Sequence, residues 1–255
     1  MDIKALLDIL KDIVFMIIPF VCGLLYAMLT KLVRKKRAKK LLRIDYEEKM
    51  KLNCFTANTG HYDDSELVTL GYIFEYMAVG ELIPTFRTLY KDMVMNVKMS
   101  DESYVHSEYV RNDLLLIGGP FHNAITRDLI FNGTNGFPFS FDADANLTYS
   151  KNGISETFYP KVSSGASKYY ENDYALIINM RNPRNADKRL IAIIGCRSIG
   201  CYGAAIYLSN HLKEIKNLID DDEYAIVINC EGDNERVLSD PKFIKYYSLS
   251  DKPQK

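Results

Sequence analysis

Residues 189–208 read RLIAIIGCRSIGCYGAAIYL. Leu190–Ile194 is a short, wholly apolar run of the kind that forms a buried strand, and Gly195 ends it. Arg197 and Ser198 then make a polar loop. Gly200, Gly203, Ala204 and Ala205 follow, small residues where a helix must lie close against a sheet. Strand, permissive loop and close-packed helix are the repeating unit of an α/β fold. The spacing is neither GxGxxG nor GxxxxGK[ST], because Cys201 stands where the lysine would be. The chemistry is shared all the same: glycines admit a ligand to the backbone, the helix N-terminus carries a partial positive charge, and Arg197 and Ser198 suit an anion or a hydroxyl.

The same unit recurs upstream in DLLLIGGPFHNAITRDL, residues 113–129. Asp113–Ile117 reads as a buried strand, Gly118-Gly119-Pro120 as the turn, and a helix begins near Asn123. Asn123 and Thr126 are placed to cap that helix or bind a ligand, and Arg127 to meet a phosphate or carboxylate. A third loop, Asn58–Asp63, follows the strand-like run LNCFTA in the same way. In a parallel sheet all three loops emerge at the carboxyl ends of strands, where open α/β sheets bind ligands. The expected ligand is therefore of nucleotide type, with phosphates held by two helix N-termini. Each loop also fits a plain packing turn with an ordinary cap.

Between these units the reading is coarser. Leu67, Leu70, Ile73, Phe74 and Met77 recur at helical spacing and predict a helix over 64–79, ended by Gly80 and Pro84. Strands are expected at 93–99, 174–180, 189–194 and 224–229, and a helix at 202–216. From about 132 to 172, Asn-Gly pairs and alternating aromatics mark an antiparallel insertion. Its clearest part is a hairpin over Ala145–Tyr159, turning at Lys151-Asn152-Gly153. The body, residues 44–255, is thus expected to be a Rossmann-like, mostly parallel sheet domain with a hairpin insertion.

The head differs. Residues 13–30, IVFMIIPFVCGLLYAMLT, carry no charge, and at helical rise they span about 27 Å, close to a bilayer's hydrocarbon thickness. Eight bases and no acid follow, from Lys31 to Arg43. Residues 1–43 hold 10 Lys/Arg against 3 Asp/Glu, while residues 44–255 hold 22 against 30. This predicts a single transmembrane helix plus a basic juxtamembrane segment over 1–43, the N-terminus outside and the body cytoplasmic at an inner or plasma membrane. Gly23 and Ala27 form a small-xxx-small pair that points to a homo-oligomer.

The acidic body argues against a nucleic-acid polymer as partner. Five scattered cysteines with no CxxC pair point to reduced thiols and no zinc site; no metal and no obligatory cofactor are expected. No Ser/His/Asp set is discernible among the four histidines. If the crevice cleaves a glycosidic bond it needs a carboxylate, and Glu231, after the last strand, is the best-placed acid, with Glu171 second.

With its GGPxxNxxT loop at Gly118–Thr126 and GxxxxGxxG loop at Gly195–Gly203 behind a membrane helix, the chain resembles membrane-anchored nucleotide-sensing proteins of bacterial anti-phage systems, whose sensor domains are often SLOG-like or TIR-like. The resemblance implies that a nucleotide signal orders or oligomerises the body and that the helices then assemble in the membrane. The alternative is a tethered nucleotide hydrolase or NADase-like enzyme, and the sequence leaves the choice between binding and turnover open.

Overall fold

The computed structural model describes residues 18, 21–33, 36, 40–44, 51–57, 66–90, 93–134, 136–163, 169–233 and 236–250, with side chains from 73 onward in the 66–90 stretch. The third loop, Asn58–Asp63, lies outside the described residues, as do residues 13–17, 19 and 20 of the apolar stretch 13–30. Residues 21–33 are helical, and Leu24, Leu25, Met28, Leu29 and Leu32 are all exposed. Among the described residues no helix is long and apolar enough to cross a membrane.

The body is a mixed α/β structure around one large sheet. In chain order its elements begin with β1 (Lys51–Thr56), α1 (Glu66–Leu89), β2 (Val94–Met99) and β3 (Leu114–Ile117). Next come α2 (Ala124–Thr126), which continues as a π-helical turn through Asn132, and the short strands β4 (Phe139–Phe141), β5 (Leu147–Lys151), β6 (Ile154–Phe158) and β7 (Lys161–Val162). The chain ends with β8 (Tyr169–Asn182), β9 (Asn185–Gly195), α3 (Ser198–Asn210), α4 (Leu212–Leu218), β10 (Tyr224–Asp233) and β11 (Lys242–Ser248).

The main sheet runs β11-β10-β8-β9-β3-β1-β2, with β7 beside β8. β2, β1, β3 and β9 pair in parallel. β8 is antiparallel to both β9 and β10, so β10 points the same way as the parallel group. The sheet is therefore largely parallel in direction, although its far half is paired antiparallel. Residues 174–180 and 189–194 are two arms of one long hairpin, because only two residues, Pro183 and Arg184, separate β8 from β9 and no crossover fits that length. The expected insertion is a separate three-stranded sheet, β4-β5-β6. Its β5–β6 turn has Asn152 and Gly153 at φ 54° and 79°, the conformation Asn-Gly favours.

Strand residues alternate between two cores, as a pleated sheet requires. Leu115, Ile117, Ile191, Ile193, Ile226 and Ile228 face α1 and α3; Leu114, Leu116, Leu190, Ala192, Ile194 and Val227 face α2 and the small sheet. α1 continues past Gly80 and Pro84, contrary to the sequence expectation. Ala78, Val79, Leu82, Phe86 and Leu89 are all buried along it, and that burial outweighs the local cost of the two residues. The buried stripe is also rotated from the expected one: Ile73 is exposed, whereas Phe74 is 2% exposed.

Candidate functional site

The chain leaves β1 for α1 on one side of the sheet and leaves β3 for α2 on the other. That divergence makes the carboxyl ends of β1 and β3 a topological switch point, the position where open α/β sheets take ligands. Gly118 stands there at φ +106°, a conformation that an L side chain rarely adopts. Gly119 follows, its α-carbon close to the Gly195 carbonyl, so the two glycine turns meet at this edge.

Asn123 is fully buried where β1 and β3 end. Its amide nitrogen donates to the carbonyls of Phe55 and Ile117 at 3.1 and 3.0 Å, bridging the ends of β1 and β3. Its carbonyl oxygen accepts from the N–H groups of Ile125 and Thr126. Both ends of the side chain are thus used in holding the strand ends, and α2 is capped from within. Thr126 is likewise fully buried, and its hydroxyl has no hydrogen-bond partner. Arg127 points elsewhere, into an ion pair with Glu102.

The second glycine loop is shorter than its sequence suggests, because α3 already begins at Ser198. The cause is Asp173, a completely buried acid in the first half of β8. Its carboxylate accepts from the Gly200 N–H at 2.7 Å and from the Tyr174 N–H at 3.1 Å, so an internal acid caps the first turn of α3. The three glycines divide their roles. A Cβ on Gly195 would strike the Arg197 carbonyl, one on Gly200 would lie 2.7 Å from the Asp173 carboxylate, and one on Gly203 would lie 2.6 Å from the Cys230 sulfur. Turn, cap and helix–strand packing account for them. Arg197 lies over this cap and donates from Nη2 to the Asp144 carbonyl in the β4–β5 turn, at 3.2 Å. Its Nε is buried without a hydrogen-bond partner. Ser198 is half-buried at the first helical position.

Glu75 completes the edge. It reaches from α1 to the end of β1, where one carboxylate oxygen accepts from the Ala57 N–H at 2.7 Å. The other presses against Gly118, where a Cβ would sit 2.6 Å away. Glu75 is 5% exposed, and burial pushes its carboxyl up to about 8, against the pull of the Ala57 N–H. Burial likewise raises Asp173 to about 7, opposed by the backbone N–H groups it holds and by Arg197. Cys201 lies within reach of both fields, and burial first and Glu75 second push its thiol well up, so it stays a neutral thiol. The site therefore joins two buried carboxyls, each with its proton affinity raised by burial, beside the two glycine turns. A neutral carboxyl in such a place donates a hydrogen bond or a proton to what binds beside it.

Sequence reasoning missed Glu75 and gave Asp173 no role. A signal existed for the first: Glu75 shares a helical stripe with Ala78, Val79 and Leu82, an acid in an otherwise apolar line. Glu231 sits further along the edge, where it accepts from the Tyr169 hydroxyl at 3.4 Å and faces Lys242. Glu171 is taken by Lys161. Among the described residues no group of three or more His, Cys, Asp and Glu side chains is arranged to hold a metal ion. Comparison of the chain with protein-family models, with curated proteins and with solved structures gives no match.

Proposed function

We propose that this chain is a membrane-anchored protein whose body binds a small nucleotide-type ligand at the carboxyl edge of the sheet and signals by assembly of its N-terminal helices. The observation that carries the reading is the switch point between β1 and β3, where the Gly118-Gly119 turn lies beside the buried Glu75. The uncharged run 13–30 and the eight bases after it support the anchor. The ligand's contacts differ from two phosphates on two helix ends, since Asn123 and Asp173 already cap both helices. Arg197, through its unpaired Nε, and the Ser198 hydroxyl supply the anion contact, and Glu75 meets an uncharged acceptor of the ligand. The signalling mode is the one expected from the sequence: the ligand orders or oligomerises the body, and the helices then assemble in the membrane.

Glu75 also favours a second reading, turnover. Glu75, buried beside the Gly118 turn with its carboxyl pushed up to about 8, is a candidate general acid for a leaving base alongside Glu231. One experiment separates the two. The full chain in detergent is melted against mono-, di- and cyclic nucleotides, NAD and ADP-ribose, and each mixture is then analysed for product. A ligand at a hundredfold excess over Kd adds about 2.7 kcal/mol of stability. A melting shift with the compound recovered intact supports sensing, and a shift with product supports an enzyme. No shift with any member of the panel contradicts both.

A further inference from the structure

Residues 40–44 straddle the change from basic head to acidic body, yet they are built into the body as firmly as any strand. Leu41, Leu42 and Ile44 are each 2% exposed and belong to the larger core. The carbonyls they carry inward are all met. Leu41 accepts from the Tyr224 hydroxyl at 2.9 Å, Leu42 from the Asn179 amide at 2.9 Å, and Ile44 from the Tyr90 hydroxyl at 3.2 Å. Asn179 is held in turn by Arg189, whose Nε and Nη2 donate to its oxygen at 3.1 and 2.6 Å. Arg43 stands at φ +56°, which turns its guanidinium to the Asp221 carbonyl and the Asp222 carboxylate. A loose tether needs none of these contacts.

Their location matters more than their number. Asn179, Arg189 and Tyr224 lie at the end of β8 and the starts of β9 and β10, the amino edge of the sheet. The glycine turns and both buried carboxyls lie at the opposite edge. From Arg189 to Gly195 the strand runs about 20 Å. Six residues, 34–39, separate the helical stretch 21–33 from this seat, where residues 40–42 are again helical. The amino edge also carries Asp187, Asp220 and Asp221 beside Arg181 and Arg184, so it has no excess of positive charge to draw it onto anionic lipid.

We infer that residues 40–44 form a rigid joint that holds the body upright on its anchor, with the amino edge toward the bilayer and the glycine turns on the far side. The ligand then comes from the aqueous phase and not from a lipid headgroup. This rests on the membrane reading above.

The chain has no tryptophan, so a single introduced indole reports one place. Ala186→Trp marks the amino edge and Phe121→Trp the carboxyl edge; both positions are exposed. Each full-length variant is reconstituted in vesicles of three parts phosphatidylcholine to one part phosphatidylglycerol, with a trace of dansyl-headgroup lipid, and energy transfer is measured. The joint predicts severalfold greater transfer from the Ala186→Trp protein than from the Phe121→Trp protein. Equal transfer, reversed transfer or none from either variant overturns it. A ten-residue Gly/Ser insertion between Lys39 and Lys40 leaves the seat intact and frees the body to turn, so the asymmetry should vanish. Its survival would mean that lipid attraction, and not the joint, orients the body, which also overturns the inference. Vesicle flotation reports separately on the anchor: a chain that does not float removes the membrane reading before any transfer is measured.

Discussion

The two ends of the main sheet are made of similar residues and put to opposite uses. At the amino edge, buried polar groups answer one another: Arg189 holds Asn179, Asn179 holds the Leu42 carbonyl, Asn182 donates to the Val110 and Asn112 carbonyls, and Asp113 accepts from the Arg189 N–H. At the carboxyl edge the matching is incomplete. The Thr56 and Thr126 hydroxyls and the Arg197 Nε are buried without hydrogen-bond partners, against the Arg43 Nε alone among the described residues at the amino edge, and two carboxyls are buried with raised proton affinity. Satisfied networks stabilise, whereas unmet groups persist where a site needs them. The contrast supports structure at one end and makes the other the proposed place for a ligand.

The contrast can be broken first at its stable end. Asn179→Leu leaves the Arg189 Nε and the Leu42 carbonyl buried without partners, while Arg189 keeps Asp222 and the Leu41 carbonyl keeps Tyr224, and should cost about 2 kcal/mol or more by chemical denaturation. A loss under 1 kcal/mol would show that the network is incidental. At the other end Gly118→Ala meets both the φ of +106° and the Glu75 carboxylate, a cost of about 1–3 kcal/mol. Combining it with Glu75→Ala should recover part of that loss, and strict additivity would deny the contact.

A pH titration sharpens the comparison further. The folded value of Glu75, about 8, lies above its ordinary 4.5, so the folded state keeps a proton that the unfolded chain releases. Stability therefore falls as pH rises between those values, by up to about 1.4 kcal/mol per pH unit. Asp173, raised from 3.8 to about 7, acts with the same sign. Glu75→Gln should flatten the decline, so the gap between wild type and variant should shift in the variant's favour as pH rises. A gap independent of pH would mean that Glu75 ionises normally. The smallest effect belongs to Arg127→Ala, which removes a partly exposed ion pair with Glu102 and should change stability by less than about 0.5 kcal/mol.

Much of the fold is readable from residues alone. The runs at 113–117, 189–194 and 224–229 are strands because they are short, apolar and bounded by turn formers, and Asn152-Gly153 marks its hairpin directly. What escapes such a reading depends on contacts distant in sequence. Nothing local to Ser198 shows that Asp173 will cap the turn that starts there, and so the helix begins earlier than its own residues predict. Nothing local to Gly80 or Pro84 shows that Leu82 and Phe86 will find a core beneath them. The glycines of 195–203 are legible as a place of close approach, but what approaches Gly200 is this chain's own carboxylate. Glu75 is legible in principle and is hidden by a helical stripe drawn one residue off.

The most direct test of the account compares the two edges in a single assay. A ligand that raises the melting temperature of the full chain is measured again with Arg197→Ala, at the carboxyl edge, and with Arg181→Ala, an exposed arginine at the amino edge paired with Asp222 and Glu223. The account predicts that Arg197→Ala loses the shift and Arg181→Ala keeps it. A shift that survives Arg197→Ala and disappears with Arg181→Ala would place the site at the wrong end of the sheet and contradict the account.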